Sequence, residues 1–162
     1  MRKDKHMTTF SGSVTEQVAA DPSALFGLIT DIGRLPEWNE HIHHVVEAPA
    51  ELADGSEWVV QMRANGARWK SRSHLEELDA AGHRFAYVSR TDDSNPSRAL
   101  WSWQLTPAGT GTEVTVRWEL RPLTLFRQRL AAPLRHRQLK REVRASINAA
   151  AGAVGSPAQR EA

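Results

Sequence analysis

The segment ADPSALFGLITDIGRLPEWN, residues 20–39, lies between two strand-like stretches and constrains the arrangement of everything around it. Asp21 is a natural N-cap, and Pro22 suits the first helical position because its missing N–H would have no partner there. We expect Gly33 to end this first helix and Pro36 to open a second one. Two short helices inserted after one strand would plug one end of a curved sheet and leave space for a cavity beneath. The first helix carries an apolar stripe made of Leu25, Phe26, Leu28 and Ile29.

Length and composition indicate a single domain. The chain has 162 residues and no cysteine, which excludes disulfides and thiolate chemistry and suits a reducing cytoplasm. Its first ten residues are charged and lack an apolar segment, and no run of 18 apolar residues occurs, so we expect neither a signal peptide nor a membrane-spanning helix. We therefore expect a cytoplasmic domain over residues 10–154, with flexible tails at 1–9 and 155–162.

Period-two alternation predicts a sheet with one apolar and one polar face. It is clearest in the last two strands, where Trp103 and Val116 stand among apolar neighbours that alternate with polar residues. The dipeptide Asn65-Gly66 predicts a tight hairpin. Strands are predicted at residues 10–19, 41–48, 57–64, 67–78, 83–90, 97–106 and 112–121.

The period becomes helical from Leu123 to about Val154. We expect Pro133 to kink or break this helix, because it stands just before a slip between two apolar stripes. This is the only predicted element long enough to cover the sheet, which makes the fold class α+β. The first stripe contains Phe126, Leu130 and Leu134, and the second contains Leu139, Val143, Ile147 and Val154.

Several short sequence motifs resemble those of the START-like superfamily, also called SRPBCC, and within it those of the polyketide cyclase/dehydrase-type bacterial proteins. The resemblance covers about residues 10–153. It implies a helix-grip fold, in which a seven-stranded antiparallel sheet curves around a long C-terminal helix and two short helices lie between strands one and two. It also implies binding of a hydrophobic small molecule in an internal cavity, as a carrier or sensor, and in a minority of members cyclase, aromatase or dehydratase chemistry. The matching motifs are ADPSALF (20–26), Thr30-Asp31, RLPEWN (34–39), Asp54-Gly55, Leu78-Asp79 and GTGTEV (109–114).

The apolar face supplies the candidate wall of that cavity. Six tryptophans stand against a single tyrosine, and such rings either pack in a core or stack on a flat ligand. In strand four, Ser71 and Ser73 share a face with Trp69. Their small side chains would leave space for a ligand, and their hydroxyls could orient it. With the opposite phase Lys70, Arg72 and His74 would face inward instead, and both phases remain open. The candidate ligand-binding residues are Phe26, Leu35, Trp38, Trp58, Trp69, Ser71, Ser73, Phe85, Tyr87, Trp101, Trp103, Val116, Trp118, Phe126, Leu130 and Leu134.

Metal binding and catalysis lack a recognisable pattern. His41 and His43 share a strand face, but His44 points away and no further ligand is suitably spaced, so we interpret this stretch as a polar edge strand and expect no metal or cofactor. The groups available for acid–base chemistry are His74, Tyr87, Arg72 and Glu16. None forms a dyad by its spacing, and no catalytic residue is assigned.

Charge is unevenly distributed along the chain. Residues 1–120 hold 12 basic and 17 acidic side chains, whereas residues 121–162 hold 9 and 2. The basic segment is either a solvated face paired with the acidic body or a docking surface for an anionic membrane or a protein partner. No recognition motif accompanies the charge, so nucleic acid is not an expected partner. The residues concerned are Arg127, Arg129, Arg135, Arg137, Lys140, Arg141 and Arg144.

Overall fold

All seven predicted strands form one antiparallel sheet, in which the first strand lies at one edge beside the seventh and the others follow in descending order to the second at the opposite edge. The computed structural model describes residues 9–64, 66–92, 97–121 and 132–155, with side chains in the last range from 137 onward. The strands are β1 (Phe10–Val18), β2 (Ile42–Glu47), β3 (Glu57–Ala64), β4 (Ala67–Asp79), β5 (Arg84–Thr91), β6 (Arg98–Ala108) and β7 (Gly111–Arg121). The helices are α1 (Pro22–Ile29), a 3-10 helix (Ile32–Glu37) and α2 (Ala132–Val154).

The sheet has one buried and one solvated face, as the alternation predicts. Trp103, Val116 and Trp118 are between 0% and 5% exposed on the inner face, whereas Glu113 and Arg117 on the outer face are exposed. The predicted hairpin is also present, because Ala64 pairs with Ala67 across a two-residue turn.

The phase of β4 follows from its pairing with β3. Ser73 lies opposite Trp58, and Ser71 lies opposite Val60. Side chains of directly paired residues project to the same face, so both serines are on the inner face. Arg72 and His74 therefore project from the outer face, and the alternative phase is excluded.

The two short helices form where they were predicted, but their boundary differs. The Asp21 carboxylate accepts a hydrogen bond from the Ala24 N–H at 2.9 Å, as an N-cap should. The helix ends at Ile29, where the Thr30 hydroxyl donates to the Phe26 carbonyl at 2.8 Å. We call α1 and the 3-10 helix together the plug.

The roles predicted for Gly33 and Pro36 are therefore wrong, because both residues lie inside the 3-10 helix. Since Thr30 already satisfies a carbonyl at the end of α1, no glycine is needed there. Pro36 lies near the end of this short helix, and the N–H groups that follow it, those of Trp38 and Asn39, both donate to the Leu35 carbonyl, at 3.3 and 3.0 Å.

The plug is fastened to the sheet where β1 ends. The Thr112 hydroxyl is fully buried and donates to the Ala20 carbonyl at 2.7 Å, one residue before the N-cap of α1. The neighbouring Gly111 lies so close to β1 that a Cβ on it would be 2.0 Å from the Val18 carbonyl oxygen. We call Val18, Ala20, Gly111 and Thr112 the plug junction.

Replacing Thr112 with valine is expected to lower the free energy of unfolding by about 1–3 kcal/mol, because the Ala20 carbonyl would remain buried without its donor. Chemical denaturation followed by tryptophan fluorescence measures the change. The matched control is Thr115→Val on the outer face of β7, where the hydroxyl bonds Thr15 at 3.0 Å in contact with solvent. The control should change the same free energy by less than about 0.5 kcal/mol. Equal losses in both variants would contradict the importance of the buried bond.

Helix α2 presents a buried stripe to the rest of the domain. Leu139, Val143, Ile147 and Ala150 are all buried, and the helix packs on β1, β7 and α1. The predicted stripe is therefore confirmed as buried at Leu139, Val143 and Ile147, whereas its last member, Val154, is only partly buried against the same core. Arg144 reinforces this contact, since its Nε lies 2.8 Å from the Glu16 carboxylate on β1.

The start of α2 differs from the prediction. The helix begins at Ala132, so Pro133 lies in its first turn, where a missing N–H has no helical partner to lose. Phe126, Leu130, Arg127 and Arg129 lie outside the described residues, and so do the side chains of Leu134 and Arg135. Within the described ranges, no helix is both long and apolar enough to cross a membrane.

Candidate functional site

One end of the inner face is only half-buried, in contrast to the rest of that face. Trp58 and Trp103, nearer the plug, are 2% and 5% exposed. Towards the opposite end, where β7 ends and β4 begins, inner-face side chains keep part of their surface open. We call these residues the inner patch: Met62, Trp69, Ser71, Tyr87, Ser89, Ala99, Trp101 and Leu120.

Strand pairing makes the inner patch one continuous surface. Met62 lies opposite Trp69, and Tyr87 lies opposite Trp101. Ala99 is paired with both Ser89 and Leu120 and so joins three strands. Paired side chains in an antiparallel sheet stand about 5 Å apart, so these residues present a joined wall of aromatic and aliphatic groups. Three hydroxyls, those of Ser71, Ser89 and Tyr87, interrupt it.

Tyr87 packs against aromatic rings of the core, while part of its surface stays open in the inner patch. Its ring centroid lies 5.2 Å from that of Phe85 and 5.4 Å from that of Trp58. Burial raises the pKa of Tyr87 to about 12, although a hydrogen bond with Trp103 opposes the shift. The phenol hydroxyl carries one proton, which it can donate to an acceptor. Among the described residues, that proton has no acceptor.

An alkaline titration should report this environment directly, because Tyr87 is the only tyrosine in the chain. We expect phenolate absorbance in the folded protein to develop near pH 12, and in the denatured protein near the ordinary value of 10.0. The raised pKa means that the contribution of Tyr87 to stability is constant below pH 10 and is lost as the pH rises from 10 towards 12, since only the unfolded chain releases this proton in that window. Ionisation near pH 10 in the folded protein would contradict the buried placement.

Most of the other predicted ligand-binding residues pack together as the core beneath and beside the inner patch. Trp58 stacks on Phe85 with ring centroids 6.1 Å apart, and Trp38 of the plug meets Trp103 edge-on at 5.5 Å. Phe26, Leu35, Ser73, Val116 and Trp118 are also buried. The predicted residues in the inner patch itself are Trp69, Ser71, Tyr87 and Trp101. Our prediction left out Met62, Ser89, Ala99 and Leu120, which the same alternation places on that face.

The other groups considered for acid–base chemistry lie elsewhere. His74 is exposed on the outer face, 3.6 Å from Glu57. Arg72, also on the outer face, bonds the Asp92 carboxylate, and this bond is the main cause that raises the pKa of its guanidinium. Glu16 is held by Arg144. None of these groups therefore belongs to the inner patch.

The histidine-rich stretch does not gather metal ligands. His41 precedes β2, and its Nε2 lies 3.6 Å from the Glu142 carboxylate of α2. His43 and His44 are exposed neighbours. No group of three or more histidine or acidic side chains suited to a metal ion occurs in the part of the chain that the structure describes.

The described basic residues of α2 form an exposed stripe opposite the buried one. Arg137, Lys140, Arg141 and Arg144 follow a spacing of three, one and three residues, and all are exposed. Only Arg144 among them has an ion pair within the described residues. Docking of an anionic surface on this stripe stays a prediction.

A curved antiparallel sheet, a two-helix plug after its first strand and a C-terminal helix packed against it define a helix-grip protein. The chain belongs to the family described as polyketide cyclase / dehydrase and lipid transport, whose pattern it matches over residues 7–155. The resemblance seen in the short sequence motifs is thereby confirmed. A comparison with curated protein sequences found no match.

Solved structures show the same fold at low sequence identity. A Thermus thermophilus protein is 18% identical with a TM-score of 0.71, and the match covers 90% of this chain and 97% of that one. An aromatase/cyclase from a Streptomyces species is 18% identical with a TM-score of 0.69, over 92% and 94% of the two chains. A major latex-like protein from Panax ginseng is 11% identical with a TM-score of 0.70, over 91% and 99%.

Proposed function

We propose that this protein binds a hydrophobic, ring-containing small molecule against the inner patch and acts as its carrier or sensor. The single observation behind the proposal is the half-open, aromatic end of an otherwise buried sheet face. Ligand sites typically combine an apolar wall with a few placed polar groups, and the inner patch has both. The family's description, which includes lipid transport, agrees with such a ligand.

The aromatic and the polar side chains of the inner patch would make different contacts with the ligand. Trp69 and Trp101 offer flat faces on which a ring system stacks in an offset or edge-on arrangement. The phenol of Tyr87 supplies a hydrogen-bond donor that stays protonated throughout the physiological range, because its pKa is raised. A ligand oxygen that reaches Tyr87 would thus be oriented without any change in charge.

A second candidate is cyclase, aromatase or dehydratase chemistry in the same place, which the family's description also favours. Tyr87 is the one ionisable side chain in the inner patch. With a pKa near 12, its phenol is a weak acid at neutral pH and has no base beside it in the patch. Binding without covalent chemistry is therefore the function that the described residues support better.

Native mass spectrometry of freshly purified protein tests the proposal, followed by extraction and identification of any bound molecule. We expect either a co-purified apolar ligand or saturable uptake of an added apolar dye with one site per chain. Protein that carries nothing and takes up no dye would overturn the proposal. Incubation with the identified ligand then separates the two candidates, because an enzyme would convert it and a carrier would return it unchanged.

A further inference from the structure

Four arginines stand in a row across four neighbouring strands on the outer face of the sheet. Arg72 on β4 lies opposite Arg90 on β5, and Arg98 on β6 lies opposite Arg121 on β7. The last paired residues of β5 and β6 at this end are Ser89 and Ala99, and Arg90 and Arg98 are the next residue on each strand beyond that pair. Because neighbouring strands are about 4.8 Å apart, the row places the backbones of these four arginines close together on one face of the sheet.

The two ends of this row are neutralised by acidic side chains. Arg72 has the carboxylates of Glu57 and Asp92 at 3.2 and 3.3 Å. Arg121 bonds Glu119 at 2.6 Å. Glu57, Asp92 and Glu119 are thus already engaged in ion pairs with the arginines at the two ends of the row.

The two central arginines lack such partners. Arg90 and Arg98 are exposed, and neither has an ion pair with any of the described residues. Like charges on neighbouring strands destabilise a sheet, and within the described residues no acidic side chain forms an ion pair that would offset this cost for Arg90 and Arg98. A bound anion would remove that cost.

A concave surface accompanies the charge. A groove of about 690 Å³ lies on this outer face, with Arg72, Arg90 and Arg98 on its walls and Val88 among its lining residues. Three carboxylates also line it: Glu57 and Asp92 are already bonded to Arg72, whereas Glu76 is exposed and has no ion pair among the described residues. The groove lies across the sheet from the inner patch.

From this arrangement we infer that Arg90 and Arg98 bind a phosphate group in the groove. A guanidinium donates two parallel hydrogen bonds to phosphate oxygens, and a phosphate with two negative charges can engage both guanidinium groups at once. The group would belong either to a soluble phosphomonoester or to a lipid headgroup. Because it uses the outer face, this site is independent of the proposed ligand against the inner patch.

Thermal unfolding in inorganic phosphate, at ionic strength held constant with sodium chloride, tests the site. A ligand that binds only the folded chain raises its melting temperature in a saturable manner. We expect this rise for the wild type and a loss of apparent affinity of about tenfold or more in the R90Q/R98Q double variant. The matched control is Arg117→Gln, an exposed arginine on the same face opposite Ser13 and Ser102, which should leave the response unchanged.

A second readout shows that the double variant is properly folded. Without phosphate it should melt at or above the wild-type temperature, since the substitution removes a like-charge contact. Co-sedimentation with phosphatidylcholine vesicles that contain phosphatidic acid distinguishes a lipid headgroup from a soluble phosphomonoester. If the site binds a headgroup, the wild type should sediment with these vesicles and the double variant should not. Absence of any saturable response of the wild type to phosphate and to these vesicles would overturn the inference. An equal loss in Arg117→Gln would also overturn it, because the effect would then be general to surface charge.

Discussion

Replacing Gly111 with alanine is expected to lower the free energy of unfolding by about 3 kcal/mol or more. The added methyl group would lie 2.0 Å from the Val18 carbonyl oxygen, well inside van der Waals contact. Val18 pairs with Thr112 in the ladder between β1 and β7, so the clash falls on hydrogen-bonded backbone that has no free rotation to relieve it. Relief would require β1 to move away from β7 where both hold the plug. Denaturant unfolding monitored by tryptophan fluorescence measures the loss.

Gly27→Ala is the matched control, because it adds the same methyl group in the same chain. A Cβ at Gly27 would meet nothing within 4 Å, and the residue lies in α1, where alanine is favoured over glycine. We expect this variant to gain up to about 1 kcal/mol in the free energy of unfolding. If Gly111→Ala gave the same small gain, the close approach at the plug junction would be refuted.

Replacing Ser71 with tryptophan is expected to weaken binding of an apolar ligand by about a hundredfold or more, which corresponds to a loss of almost 3 kcal/mol. Ser71 is half-buried in the inner patch, between Val60 on β3 and Thr91 on β5. An indole at this position would fill the space that the serine leaves and cover the neighbouring wall. Since the position is partly open, the fold should accommodate the ring, and circular dichroism should remain that of the wild type. Titration with a fluorescent apolar dye measures the affinity.

Ser13→Trp serves as the control for bulk and hydrophobicity. Ser13 is exposed on the outer face of β1, opposite Arg117, so the same substitution adds its ring on the other side of the sheet. Dye affinity should remain unchanged in this variant. Equal losses in the two variants, or full binding in Ser71→Trp, would show that the inner patch is not the binding wall.

The structure gives a physical explanation for two of the short sequence motifs that indicated the family. ADPSALF and GTGTEV are about 90 residues apart in the chain, yet they meet at the plug junction. There Gly111 permits close approach of β1, and the Thr112 hydroxyl holds the carbonyl that precedes the N-cap Asp21. The resemblance to the family rested on each motif separately, and the contact between them explains why a plug in this position needs both.

Local patterns were sufficient wherever a single element determines the outcome. Alternation predicted the strands and the inner face, Asn65-Gly66 predicted the hairpin, and the 3.6-residue period predicted the buried stripe of α2. They failed where two local signals compete. Gly33 and Pro36 both suggest a helix boundary, but the side-chain hydrogen bond of Thr30 ends α1 first.

The sequence by itself determined the strands, the helices and the aromatic, apolar character of one sheet face, because these follow from periodicity and capping within single elements. The helix-grip arrangement of those elements was implied by the resemblance of its short motifs to a known family. Only the tertiary structure decided which residues on that face stay open, since exposure depends on what packs above each position. It also turned Arg72 and His74 outward, because the phase of β4 is set by its register with β3. The arginine row has the same origin: its members come from four strands, and only hydrogen-bonded pairing across the sheet brings them side by side.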